Sequence, residues 1–151
     1  MHQIMTWTAC CMVLLFSGTL QTETQFSIRA ASAQPVEGWQ RMQVEHSDRT
    51  IWVAPTAAIV ASDIEKAQPE IRDGGDRVIR VVFTDAGASK IRDLTAAQLK
   101  DLIALVVGGK VIWAPVVQAM AGKESVLTGN LPTGLTEEEV DRIMVSLRQL
   151  N

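Results

Sequence analysis

Cysteine is scarce in this chain of 151 residues, because Cys10 and Cys11 are the only two. Both lie in an apolar run near the N-terminus that has the character of an export signal. Without that segment the chain carries no thiol, so it could form neither a disulfide nor a cysteine nucleophile. The stability of the folded part must therefore come from its hydrophobic core.

Histidine is as rare as cysteine, and this limits acid–base chemistry. Beyond the N-terminal segment the only histidine is His46, which lies in a charged turn, and no G-x-S-x-G sequence occurs. A nucleophilic triad needs a base held beside a nucleophile and an orienting partner. We interpret His46 as a solvated turn residue and predict that the protein has no catalytic residues and is not an enzyme.

The sequence also lacks the signatures of cofactor, metal and nucleic-acid sites. Its glycines form no phosphate loop or dinucleotide-binding turn. Its 14 basic and 17 acidic residues are scattered, without the basic stripe of a nucleic-acid partner. One acidic group suits the first turn of a helix better than a calcium loop, whose ligands alternate along the loop. It consists of Glu137, Glu138, Glu139 and Asp141. We expect no cofactor, no metal and no nucleic acid.

The N-terminal apolar run, Ala9 to Leu20, is too short to cross a bilayer as a helix. A spanning helix needs about 20 apolar residues, whereas the core of a signal peptide has about 7 to 15. A polar stretch ending in Ala31-Ser32-Ala33 follows, with the A-x-A pattern of a cleavage site. We predict a signal peptide at residues 1–33, a flexible segment at 34–38 and one domain at 39–151. The protein would be periplasmic or secreted, and it would associate with a membrane only through an uncleaved N-terminus.

Six stretches have the composition of β-strands. Residues 77–84 are rich in β-branched side chains, and residues 102–107 form a continuous apolar run that fits a central strand. Gly108-Gly109 supplies the positive φ values of a tight hairpin turn, and the polar residues 47–49 predict another turn. The strands are predicted at residues 40–45, 50–54, 77–84, 102–107, 111–117 and 125–128.

Three sequences have the Ser/Thr-x-x-Glu/Gln spacing of a capping box, in which each side chain satisfies a backbone N–H at a helix start. They begin at Ser62, Thr95 and Thr136. We predict a helix from about Asp63 to Ile71, a short helix at 85–93, another starting at Thr95, and an amphipathic C-terminal helix. The apolar face of the last comprises Val140, Ile143, Met144, Leu147 and Leu150.

The order of strands and helices predicts an α+β fold. Adjacent strands alternate with separate helices, which suggests a two-layer sandwich of one mostly antiparallel or mixed sheet with helices on one face. Pro115 cannot donate a ladder hydrogen bond, so it marks a strand end or a sheet edge. Residues 111–117 hold no charge, although edge strands usually carry charges against unwanted pairing. We therefore consider a partner-binding edge at Val111, Ile112, Trp113 and Pro115, unless this strand is covered.

The stretch from Val82 onward resembles the head part of the first periplasmic domain of SecD/SecDF. The quoted sequences are VFTDAGASKIRDLT, LIALVVGGKVIWAPVV, VLTG and TEEEVDRIMVSL. In that family a strand leads to Phe-Thr-x-x-Gly and a helix, then a glycine turn, a strand ending in Ala-Pro, a Thr-Gly and an acidic-capped helix. The resemblance covers residues 77–147, and it rests on Phe83, Thr84, Gly87, Leu94, Thr95, Gly109, Ala114, Pro115, Thr128, Gly129 and Glu139.

The resemblance implies a role in protein export. SecD/SecDF proteins are membrane components that assist export by using the proton gradient through transmembrane helices. For this chain the resemblance implies the head fold and contact with polypeptides, without energy coupling, and it carries over no catalytic residue. We expect a binding module for unfolded polypeptide or for a protein of the export or envelope machinery. The alternative is a structural or small-ligand-binding envelope domain unrelated to export.

Overall fold

The computed structural model describes residues 25–130 and 134–148. These ranges contain nine strands and two α-helices, which confirms the predicted α+β class. The strands are β1 (Phe26–Ser32), β2 (Gln40–Gln43), β3 (Thr50–Val53), β4 (Ile59–Val60), β5 (Ile64–Ile71), β6 (Arg77–Phe83), β7 (Leu102–Val107), β8 (Lys110–Trp113) and β9 (Glu124–Leu127). The helices are α1 (Asp85–Ala97) and α2 (Glu137–Arg148).

The strands divide into two sheets instead of the single sheet that we predicted. One sheet has the order β2-β3-β1-β7-β8, and β4 also pairs with β1. The other has the order β5-β6-β9. The pairs between these strands are all antiparallel. Predicted strands correspond to β2, β3, β6, β7, β8 and β9, and β8 ends at Trp113, two residues before Pro115.

Strand β1 lies inside the segment predicted as a signal peptide, residues 1–33, so the predicted boundary falls after a strand of the larger sheet. It pairs with β7 over six residues and also with β3 and β4, and Phe26, Ile28 and Ala31 are buried. A cleavage after Ala33 would therefore remove a central strand. The sequence FSIRAAS is short and rich in small residues, and the A-x-A pattern begins at the end of this strand. Residues 1–24, with the apolar run, lie outside the described ranges.

The helix predicted from Asp63 to Ile71 is wrong, because this segment is strand β5. The Asp63 carboxylate does accept a hydrogen bond from the backbone N–H of Val60, at 3.0 Å, but it closes only a short 3₁₀ turn at Ala61–Asp63. Pairing with β6 then satisfies the backbone hydrogen-bonding groups on one side of β5. Helix propensity, which is a local property, does not include this pairing. Pro69 is tolerated because β5 lies at a sheet edge.

Thr95 does not begin a new helix, because α1 continues through it to Ala97. The buried Thr95 hydroxyl donates to the carbonyl of Ile91 and accepts a hydrogen bond from the N–H of Ala121. It therefore connects α1 to the loop before β9. The predicted helix at 85–93 is confirmed, and it is longer than expected.

The C-terminal helix and its capping box are confirmed. The N–H of Glu139 donates to the Thr136 hydroxyl at 3.1 Å, and the N–H of Thr136 donates to the Glu139 carboxylate at 2.8 Å. Val140 and Ile143 are buried, and Met144 and Leu147 are half-buried against the same core. Leu150 lies outside the described residues. Neither helix within the described ranges has the length and apolar composition needed to cross a membrane.

Two apolar clusters occupy opposite faces of the larger sheet. The main core joins both sheets and both helices, with Phe26, Phe83, Leu105 and Ile143 among its buried members. The smaller core comprises Ala31, Val44, Ile51, Val53, Leu102, Ala104, Val106, Val111 and Ala114. A parallel bridge between Val44 and Val111 brings the residue after β2 to β8, so the sheet curls until its two edges meet. The smaller core lies inside this curl.

Candidate functional site at the edge of strand β8

The predicted partner-binding residues lie where β8 forms the end of the larger sheet. Val111 and Ile112 have no exposed surface, whereas Trp113 and Pro115 are half-buried. The first two side chains are therefore covered, and partner binding through the four residues stays a prediction. Neither is available at the surface in this conformation.

The backbone of β8 alternates between facing β7 and facing outward. Trp113 is the partner of Leu105, and the N–H of Ile103 donates to the carbonyl of Pro115 at 3.2 Å. These residues therefore face β7, and a bulge shifts the register at Ile112. The carbonyls of Val111, Ile112 and Ala114 are turned to other partners.

One turn of the chain covers this outer edge. We define the cover turn as residues Val44–Arg49, which connect β2 to β3. The N–H of Glu45 donates to the carbonyl of Val111 at 2.8 Å, and the Arg49 guanidinium lies 3.4 Å from the carbonyl of Ala114. The Asn130 side chain lies 3.5 Å from the carbonyl of Ile112. The first residues of the cover turn thus pair with β8 at Val111, and the rest of the turn folds back toward β3.

Charged side chains tie the cover turn to helix α2. The Arg142 guanidinium donates to both carboxylate oxygens of Glu45, and Lys110 Nζ lies 3.8 Å from Glu45 Oε1. These hydrogen bonds raise the pKa of Arg142 above its ordinary value. Two-point guanidinium–carboxylate pairs are among the stronger polar contacts in proteins. Glu45 therefore connects β8, α2 and the cover turn.

His46 lies beside a buried carboxylate. Its Nε2 is 3.9 Å from Glu139 Oε1, and its backbone has a φ of 53°, which non-glycine residues seldom adopt. Glu45, His46 and Glu139 offer ligand atoms that all lie within 4.8 Å of one another. A divalent cation there would compete with Arg142 and Lys110 for Glu45. The arrangement is better suited to holding the cover turn than to binding a metal.

No local pattern in the sequence indicates this network. Glu45 and Arg142 are 97 residues apart, and neither belongs to a motif. His46 was interpreted as a solvated turn residue, and its side chain is indeed exposed. Its proximity to Glu139 depends on the curl of the sheet, for which the sequence has no local signal.

Two further apolar surfaces lie away from the cover turn. A groove of about 370 Å³ is lined by residues of β5, β6 and α2, including Pro69, Val78 and Val140. Near the C-terminal end of α1, Leu99 and Val116 are both about half exposed, and their segments are joined by isolated bridges. Val116 thus continues the apolar β8 segment onto the surface.

The chain is similar to known proteins along most of its length. A family model described as "SecDF, P1 head subdomain" matches residues 39–149. Protein translocase subunit SecD of Syntrophobacter fumaroxidans is 28% identical over 90% of this chain, and that of Rhodobacter capsulatus is 35% identical over 47%. The matches cover 28% and 13% of those proteins, so the chain spans only a small part of their length. The resemblance predicted from the sequence is confirmed.

Solved structures share the fold. A crystal structure of SecDF in a "Super-membrane-facing form" has a TM-score of 0.61 at 20% sequence identity. The match covers 83% of this chain and 19% of the SecDF chain. A structure titled as "a membrane component SecDF that enhances protein export" has a TM-score of 0.59, at 20% identity, and covers 82% of this chain and 62% of its own. At this identity the likeness concerns the fold alone.

Proposed function

The chain belongs to the SecDF family as a P1 head subdomain, and we propose that it is a protein-export module. In this proposal it binds extended polypeptide and catalyses no reaction. We place it outside the cytoplasm, where the family resemblance and the N-terminal apolar run both suggest that it acts. The partner is either a translocating polypeptide or a protein of the export machinery. Energy coupling is not part of this proposal.

One observation carries the proposal, namely that an uncharged segment, which begins in β8 after Lys110, lies at the end of the larger sheet. Residues 111–117 contain no charged side chain, and the segment passes from buried Val111 to half-exposed Val116. Extended peptides bind such edges through main-chain hydrogen bonds, which tolerate many sequences. Half-buried Trp113 adds an amphipathic aromatic ring of the kind enriched at interfaces. A partner that varies in sequence suits this kind of surface.

A titration tests the proposal directly. The full chain is titrated with reduced carboxymethylated α-lactalbumin, which cannot refold, and separately with the native protein as the control ligand. We expect binding of the unfolded form only. Trp113→Lys should weaken this binding about tenfold, because a charge on the strand opposes an apolar partner and about 1.4 kcal/mol corresponds to that factor.

The matched control variant is Val145→Lys, since Val145 is 43% exposed on the outer side of α2. It should bind like the wild type. Circular dichroism of each variant shows whether the fold persists, and Ile112→Lys is unsuitable because Ile112 is fully buried. If the wild type does not bind the unfolded chain at high micromolar concentration, the polypeptide proposal is wrong. The structural or small-ligand alternative then becomes preferable, with the groove at Pro69 and Val140 as its place.

A further inference from the structure

At the start of the cover turn, Val44 and Glu45 occupy the β8 edge at Val111 as part of an added strand would. Its backbone forms a parallel bridge at Val44 and Val111 and donates the Glu45 N–H to the Val111 carbonyl. The Val44 side chain is fully buried in the smaller core. The protein therefore shows on its own chain that this edge accepts, at Val111, the main chain of a residue with a β-branched apolar side chain.

The cover turn is attached to its surroundings by one buried apolar side chain, Val44, and otherwise by polar contacts of residues that are half-buried or exposed. Beyond the last β2–β3 pair, Gln43 with Thr50, the turn is closed on itself by the hydrogen bond from the Val44 N–H to the Arg49 carbonyl. The polar contacts to other segments include one backbone hydrogen bond to Val111, the Arg49 contacts to Ala114, a hydrogen bond from the Gln43 side chain to the Ser47 carbonyl, and the ion pairs of Glu45 and His46. Such a segment can open as a unit while the sheets remain folded.

We propose that the cover turn is a latch, held closed by the Glu45–Arg142 pair, and that its opening frees the β8 edge for an extended polypeptide. The inference rests on the proposed function and concerns how the same site is regulated. The incoming polypeptide replaces Val44 with its own apolar side chain and takes over the hydrogen bond to Val111. A closed latch also prevents this uncharged edge from pairing with other copies of the chain.

Amide hydrogen exchange and binding test the latch together. Arg142→Gln removes the charge that holds Glu45, and the Glu45 amide reports opening because it donates to Val111. We expect the Glu45 amide to exchange at least tenfold faster in the variant, while the amide of buried Leu105 in central strand β7 is unchanged. The affinity for reduced carboxymethylated α-lactalbumin should rise at least threefold.

The matched control is Glu70→Gln, which breaks the two-point Glu70–Arg80 pair on the smaller sheet. It should change neither measurement. If Arg142→Gln does not fold, Glu45→Gln is used with the same readouts, because it breaks the same pair from the other side.

Two outcomes overturn the latch while leaving polypeptide binding in place. One is an unchanged Glu45 exchange rate in Arg142→Gln and Glu45→Gln, and the other is faster exchange with no gain in affinity by a wild type that does bind. If neither the wild type nor an opened variant binds, the proposed function fails, and the latch as a regulator of binding fails with it.

Discussion

At the scale of single residues, Gly87 lies at a position where a larger residue does not fit. The start of α1 crosses the 3₁₀ turn so closely that a Cβ on Gly87 would lie 2.2 Å from the carbonyl oxygen of Asp63. The same carbonyl accepts a hydrogen bond from the N–H of Thr84, and the Thr84 hydroxyl accepts one from Gly87. These residues therefore allow the start of α1 to pack closely against the 3₁₀ turn.

Gly87→Ala should destabilise the protein by about 3 kcal/mol, the upper end of the range for methyl groups inserted into packed sites. The reason is that a backbone carbonyl, and not a flexible side chain, must move. Urea melts followed by circular dichroism measure the change in free energy of unfolding. Gly122→Ala is the control, because its Cβ would meet nothing within 4 Å, and its effect should stay within about 0.5 kcal/mol. Equal stabilities of the two variants would show that the close crossing is absent.

At the scale of elements, β1 determines where the folded unit begins. It lies between β3 and β7 in the sheet order and pairs with both, so its removal separates the two halves of the larger sheet. Buried Phe26 belongs to the main core and buried Ala31 to the smaller one. β1 thus places side chains in both apolar clusters and pairs with three strands, β3, β4 and β7.

A chain of residues 25–151 should fold, whereas a chain of residues 34–151 should not. The shorter chain leaves the edges of β3 and β7 unpaired and exposes the apolar side chains that β1 covers. Thermal melts by circular dichroism should show one cooperative transition for the longer chain only. If a signal is removed in the cell, N-terminal sequencing should find a new terminus before Phe26. A cooperative melt of residues 34–151 would contradict this placement of β1.

Local patterns predicted the elements that are decided locally and missed those that depend on pairing. The capping box at Thr136 is followed by an apolar helical face, and there a helix forms. The same spacing at Ser62 precedes a segment with Pro69, and there pairing with β6 prevails. β1 was missed because its small residues resemble a cleavage site. Its burial results from pairing with three neighbouring strands, which no local pattern indicates.

At the scale of the whole molecule, the candidate site depends on how distant elements meet. The sequence identified the uncharged β8 segment and its hairpin, both of which are local features. It could not show that the sheet curls until Val44 reaches Val111, nor that Arg142 of α2 holds Glu45. Helix α2 contacts strands of both sheets, so it joins the curled sheet to the smaller one. The edge, its cover and the helix therefore form one arrangement.

Site-specific photocrosslinking measures most directly whether polypeptide binds beside β8. A benzophenone amino acid replaces Val116, which is 46% exposed next to the β8 segment, or Val145, which is 43% exposed on α2. Each protein is irradiated with reduced carboxymethylated α-lactalbumin and with the native form. We expect crosslinks from position 116 to the unfolded chain alone, and few from position 145. Equal crosslinking from both positions, or none from position 116, would contradict this expectation.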